Sequence, residues 1–416
     1  MDQRTRPDVL PARSAACVAL ALLALACQDE PGAPLLDVRG GSIPGTDLVA
    51  EDTTPTSLPR VDTTGVETLA LALATAGGTL KARVHVPPTC SSTSRCPAVA
   101  LVPDLRVPGT TQYPEEAVKG LAVLTGSVVA VYNPPGMGSG AEQSGGNRDF
   151  GGTADQDALK DLLGRLADLP EVESGGMGVV SWGTGLASAA GALSRFGPVN
   201  LPFVTWLVDM EGVTNRCYVT QAPYTVSPDG KHINGDGPGP TLSRCDFQWA
   251  PREEKFPAGT SSNGKGTDGT PTSYICNPNA FPLLETGRSC GDDAWWNERE
   301  ARTWLPSLRL HVLRLQFLHD HRQPTRLAAR ETLRWLVKNS QQKSFQLNDF
   351  KKDVSPTGYG EEQLTGAGAW LDLSGIGNGM GTDVYVTGGG FSPVTADELL
   401  LAVLPAYVTR MQERAP

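Results

Sequence analysis

The chain has 416 residues, 39% hydrophobic and 19% charged, with a mean hydropathy of −0.21. These values exclude a collagen-like, wholly disordered or polytopic membrane chain, and the length suits one large or two medium domains around a buried core. The formal net charge of −10 excludes nucleic acid as a partner, because phosphate neutralisation needs a basic patch and none is visible. With 47 glycines and 33 prolines, many loops are expected around the folded body.

The N-terminus reads as a targeting segment. Arg4, Arg6 and Arg13 precede an apolar run of small residues from Ala15 to Ala26, too short to span a bilayer. The run closes on Ala24-Leu25-Ala26-Cys27, which resembles a bacterial lipobox. The resemblance implies removal of residues 1–26 and lipidation of Cys27. The partner would then be the lipid bilayer, with the protein in the cell envelope. Gln28, in place of aspartate, resembles outer-membrane sorting signals. An ordinary signal peptide and a secreted product are the alternative. Cleavage removes three basic and two acidic side chains and takes the net charge from −10 to −11.

Six cysteines remain after Cys17 and Cys27: Cys90, Cys96, Cys217, Cys245, Cys276 and Cys290. In an exported protein they are expected to form three disulfides, with Cys90–Cys96 closing a tight loop and the pairing of the others open. A zinc site lacks a CxxC pair or a neighbouring histidine, so no metal and no cofactor is expected.

Residues 27–66 are rich in Pro, Thr, Asp and Gly without periodicity and read as a flexible tether. Leu69 to Ala74 and Thr79 to Val86 read as a hairpin around Gly77-Gly78. Ala98 to Val102 and Val128 to Tyr132 are continuous apolar runs, the pattern of strands covered on both faces. Thr153-Ala154-Asp155-Gln156 has the form of a capping box and opens a helix with Leu159, Leu162, Leu163 and Leu166 on one face. Met177 to Val180 is the next strand, running into a small-residue helix from Thr184 to Phe196. Phe203 to Val208 and Leu310 to Phe317 follow as strands, and Pro324 to Lys338 as a helix. Ser344 to Asn348 and Asp383 to Thr387 compete as the last strand. Thr395-Ala396-Asp397-Glu398 caps a final helix that Pro405 should kink.

This alternation predicts an α/β fold: a mostly parallel sheet with helices on both faces, built from residues 67–210 and 294–416. The rhythm fails over residues 211–293, which hold four of the cysteines. That stretch is expected to be a disulfide-stapled cap insertion over the carboxyl edge of the sheet, where open α/β sheets bind ligands. Asp292-Asp293 reads as the N-cap of a helix carrying Trp295-Trp296. That pair would anchor the cap or wall an apolar cleft. Asp209 and Glu211, with Asp236, are a conceivable calcium set.

Three segments in order resemble the α/β-hydrolase superfamily (dienelactone hydrolase, prolyl peptidase and esterase relatives). Tyr132-Asn133-Pro134-Pro135-Gly136-Met137-Gly138-Ser139 resembles the loop after the fourth strand. Gly178-Val179-Val180-Ser181-Trp182-Gly183-Thr184-Gly185 resembles the nucleophile elbow. Phe317-Leu318-His319-Asp320-His321-Arg322-Gln323-Pro324 resembles the acid loop. The resemblance implies a serine nucleophile, an acid at Asp320 and a general-base histidine after the last strand.

The residues depart from that pattern in three places. The elbow admits two registers: Ser181 as nucleophile, or Ser181-Trp182-Gly183-Thr184-Gly185 as the frame, with Gly183 where the serine belongs. No histidine follows His321, and Gly388-Gly389-Gly390-Phe391-Ser392-Pro393 resembles the histidine loop with glycine in place of the histidine. His319 and His321 flank the acid, His232 lies in the cap, and His85 and His311 fall in strands. The oxyanion loop begins Pro103-Asp104-Leu105, which lacks one N–H and brings a negative charge. Asp104, Leu105, Trp182 and Thr184 are expected to line the cleft.

The expectation is therefore a lipid-anchored protein of hydrolase-like fold whose triad has decayed, with a small-molecule or protein ligand at the cap cleft. The alternatives are an active esterase or peptidase using Ser181 and Asp320, and an envelope interaction protein using the cap.

Overall fold

The hairpin β1 (Glu67–Thr75) and β2 (Gly78–Val86) opens an eight-stranded sheet. It continues through β3 (Ala98–Val102), β4 (Val128–Asn133), β5 (Met177–Trp182), β6 (Val204–Met210), β7 (His311–Leu315) and β8 (Ser344–Leu347). The computed structural model describes residues 60–214, 282–288, 292–315, 332, 335–336 and 399–414, and the backbone of five short strands at 225–226, 233–234, 244–245, 274–275 and 344–347. The chain divides into Met1–Val49 and Ala50–Pro416, and every described residue belongs to the second unit.

The strand order is β1-β2-β4-β3-β5-β6-β7-β8. Strand β2 runs antiparallel to both neighbours, and β4 through β8 are mutually parallel. Ser344–Leu347 thus takes the edge place, while Asp383 to Thr387 lies outside the described residues.

Every residue of β3, β4 and β5 is buried, as continuous apolar runs require. Two cores lie on the two faces. On one, Leu159, Leu162, Leu163 and Leu166 of α3 (Thr153–Ala167) and Leu186, Ala189 and Leu193 of α4 (Gly185–Asn200) pack over Ala100, Val102 and Val179. Each fully buried leucine contributes about 1.5–3 kcal/mol. On the other face, α2 (Glu115–Thr125) and α8 (Leu404–Arg414) cover Leu101, Val180, Trp182 and Trp206. The helix predicted at Pro324 to Lys338 lies almost wholly outside the described residues.

Local chemistry adjusts several predicted elements. At α3 the N-cap is Gly152 rather than Thr153, so there is no capping box. Instead Ala154 N–H donates to Asp149 Oδ2, and Gly151 N–H to Asp155 Oδ2. Pro198 follows Gly197, whose non-helical backbone kinks α4. Pro405 sits in the first turn of α8, directly after a π-helical turn at Leu399–Val403. The pair Cys90–Cys96 is disulfide-bonded, and the other four cysteines' side chains lie outside the described residues. The helix α6 (Asp293–Arg299) starts on Asp292, whose carboxylate accepts the Trp295 N–H. Among the described residues no helix is long and apolar enough to cross a membrane.

Candidate functional site

The elbow is the turn from β5 into α4, at the carboxyl edge of the sheet. Strand β5 runs two residues beyond the predicted Val180 and takes Ser181 into the sheet. Ser181 is fully buried and pairs in register with Val102 on β3 and Asp209 on β6. The apex is Gly183. Its φ of +52° is the left-handed conformation that glycine adopts without steric cost. Its N–H donates to Met210 O at 3.0 Å, and its carbonyl accepts the Val213 N–H at 3.0 Å. Ser181 is therefore not at the apex, and the register with Gly183 in the nucleophile's place is the one the backbone adopts.

A side chain at Gly183 would have nowhere to go. A Cβ there would lie 2.5 Å from Oδ2 of Asp104. Asp104, from the loop after β3, is almost wholly buried, and its carboxylate covers the apex. Arg106 grips that carboxylate with two parallel bonds, Nε to Oδ1 at 2.9 Å and Nη2 to Oδ2 at 2.7 Å. Thr184, the N-cap residue of α4, donates its hydroxyl to Oδ1 at 2.8 Å. The carboxylate also sits at the N-terminal end of a 16-residue helix, where partial positive charge favours an anion.

The loop's own amides are committed. Asp104 N–H donates to Gln112 Oε1 at 2.8 Å, Leu105 N–H to Thr184 Oγ1 at 3.0 Å and Arg106 N–H to Asp104 Oδ1 at 3.1 Å. Pro103 has none. An oxyanion hole needs donors aimed at a developing charge, and the N–H groups of residues 104–106 are instead directed into the side chains of Gln112, Thr184 and Asp104.

The loop between β4 and α3 closes over Leu105. Arg148 donates to Leu105 O at 2.8 Å and pairs with Glu285. A Cβ on Gly151 would meet Ala187 Cβ at 2.9 Å and Leu105 Cδ1 at 3.1 Å. Phe150, a bulky residue at φ +54°, contacts Trp295, and Arg299 stacks on Trp295 while bonding to Asp149. The Trp295-Trp296 pair thus joins the segment after the expected cap to this loop.

Of the predicted cleft residues, Asp104, Leu105 and Thr184 meet at the apex. Trp182 does not: side chains alternate along a strand, and its indole is fully buried on the opposite face, 6.2 Å from Tyr113. Asp209 is no calcium ligand in waiting. It is fully buried and ion-paired with Arg314, its register partner on β7, and Arg314 also donates to Gly212 O at 3.0 Å. Burial raises the Asp209 pKa and Arg314 opposes the rise. Among the described residues no cluster of three or more metal-ligating side chains occurs.

Asp320, His319, His321, His232 and the glycine loop at 388–390 lie outside the described residues. The two described histidines are remote from the elbow. His85 pairs in register with Val129, near the start of β4, and His311 begins β7, both at the edge opposite the apex. Burial lowers His85 to a pKa of about 4, and its Nδ1 lies 3.1 Å from Thr68 Oγ1.

The mixed sheet, its strand order and its two helical layers fit the α/β-hydrolase fold. No family model matches the sequence, and no curated protein matches it. Solved structures similar to this chain include esterases and a putative dipeptidyl aminopeptidase IV of Bacteroides ovatus, which is 12% identical over 84% of this chain and 36% of that chain, with a TM-score of 0.44. One esterase, from the archaeon Pyrobaculum calidifontis, is 18% identical over 66% of this chain and 72% of that chain, with a TM-score of 0.40. A carboxyl esterase of the fungus Tuber melanosporum is 13% identical over 71% and 78%, TM-score 0.40. A thermostable esterase of Pseudomonas putida is 12% identical over 85% and 82%, TM-score 0.42.

Sequence reasoning missed Arg106 and the Asp209–Arg314 pair. The signals were present: a cation two residues after Asp104, and a charge inside each of two otherwise apolar strands.

Proposed function

We propose that this chain is an exported, lipid-anchored protein of α/β-hydrolase fold that does not hydrolyse at its elbow and acts as a binding protein. One observation carries the reading: the Asp104 carboxylate, held by Arg106 and Thr184, fills the volume above Gly183 where a nucleophile's side chain would project. Serine hydrolysis needs a hydroxyl at the apex, a base beside it and donors for the oxyanion. Glycine at the apex and already committed amides after β3 are at odds with two of these requirements.

The test is covalent labelling of the purified full chain with a fluorophosphonate probe, alongside turnover of short nitrophenyl esters. The reading expects neither. Labelling that disappears in Ser181→Ala would overturn it and restore the hydrolase with Ser181 and Asp320. Anchoring is tested separately by metabolic incorporation of a palmitate analogue, which Cys27→Ala should abolish if Cys27 carries the lipid.

A further inference from the structure

Strand β1 ends the sheet with one edge free. It pairs with β2 alone, over nine residues in unshifted register. Thr79 O accepts the Gly145 N–H and the Lys81 N–H donates to Ser144 Oγ, so these two residues of β2 turn their backbone away from β1. Backbone groups alternate in direction along an antiparallel strand. Leu69, Leu71 and Leu73, the partners of Val84, Ala82 and Leu80, therefore bond to β2. Thr68, Ala70, Ala72 and Ala74 direct their N–H and C=O groups outward, where no described residue meets them. Sheet edges of soluble proteins are ordinarily protected by lysine, proline, a bulge or shortness. Glu67–Thr75 has none of these, and its one charge is the terminal Glu67.

We propose that this edge is a dimer interface: two copies of the chain pair antiparallel through β1, centred on Leu71, and join their eight-stranded sheets into one. The strand is complementary to itself in that register, which engages all nine residues. Ala70 lies opposite Ala72 and Thr68 opposite Ala74, with outward backbone groups on both strands, while Leu69 meets Leu73 on the face that carries α3. On that face a cleft of about 470 Å³ runs between β1, α3 and the end of α4, lined by Leu73, Ala74, Arg165, Asp168 and Leu201 among others. Lys160 and Asp161 in the same cleft pair with each other, whereas Arg165 has no ionic partner among the described residues. Glu67 of the second copy projects on the leucine face and lies opposite Thr75, beside this cleft, where its charge complements Arg165. The inference is independent of whether the elbow hydrolyses.

Disulfide trapping in the full chain, purified in detergent, tests the register. Paired about Leu71, the two Cα atoms at that position face each other about 4.5 Å apart, within disulfide reach. The two Leu73 positions would lie more than about 13 Å apart. Mild oxidation should give a reducible dimer with Leu71→Cys and none with Leu73→Cys, each measured against the wild-type chain as background for its own cysteines. Ala70→Lys combined with Ala72→Lys sets like charges opposite each other across the edge and should weaken association about tenfold or more in sedimentation. Both alanines are exposed in the single chain, so this readout stands even if a cysteine variant fails to fold. Equal trapping at both positions, or trapping at neither, would overturn the proposal. So would a lysine variant that associates as tightly as the wild type. A wild-type chain that sediments as a monomer at micromolar concentration would also sink it and leave the edge to a different partner.

Discussion

Asp155 should make the protein less stable as pH rises from about 4 to about 7. Its carboxyl lies in the first turn of α3, fully buried, with one oxygen accepting the Gly151 N–H at 2.6 Å. The other oxygen has no protein partner, nor has the buried hydroxyl of Tyr132, on which this carboxylate acts electrostatically. Burial raises the pKa to about 7, the Gly151 N–H opposes that, Asp149 adds to it, and Arg299 and Arg148 lower it. The unfolded chain gives up this proton near the ordinary 3.8, so between the two values the folded protein binds more protons than the unfolded. Stability from this group is complete below pH 4 and is lost as pH climbs through about 7. At about 1.36 kcal/mol per pH unit, the interval corresponds to roughly 4 kcal/mol as an upper bound. Asp155→Asn keeps an acceptor for Gly151, offers N–H donors in place of the second oxygen, and cannot ionise. Urea denaturation of both proteins from pH 4 to 8 should show near-equal stability at pH 4 and an advantage for the asparagine variant that grows until about pH 7. A difference that stays constant with pH, or that reverses in favour of the wild type, would refute the reasoning.

Two further outcomes follow from buried charge. His85, held near pKa 4 by burial, should stay neutral down to about that pH, and its stabilising contribution should fall away only below the ordinary 6.5; an NMR titration midpoint above pH 6 would contradict this. Arg314→Met should cost about 3–5 kcal/mol by leaving the Asp209 carboxylate buried and uncompensated, and adding Asp209→Asn should recover much of it; denaturation midpoints that are no better in the double variant would count against the pair.

The strands were legible because β3 and all of β4 but Asn133 are unbroken apolar runs, and the leucines of α3 recur at helical spacing. The elbow was legible only as a choice between Ser181 and Gly183. What decides it is a contact across 79 residues, Asp104 Oδ2 against the Cβ position of Gly183, and no local periodicity encodes such a contact. Trp182 was misplaced for a simpler reason: extending β5 by two residues set its side chain on the opposite face from Ser181. Asp155 illustrates a third limit. In sequence it reads as part of a helix-capping box, whereas its burial against Tyr132 comes from packing α3 onto the sheet.

The central claim is that Asp104 and Gly183 exclude a side chain at the apex, and a double-mutant cycle tests it most directly. Gly183→Ala forces a Cβ to within 2.5 Å of a gripped carboxylate at a φ of +52°. The backbone accounts for about 1–2 kcal/mol of the cost and displacement of the buried pair for about 3 kcal/mol or more. In an Asp104→Gly background only the backbone part should remain, so the two substitutions should couple by about 3 kcal/mol. If they add to within about 0.5 kcal/mol, the carboxylate does not occupy that space and the account fails.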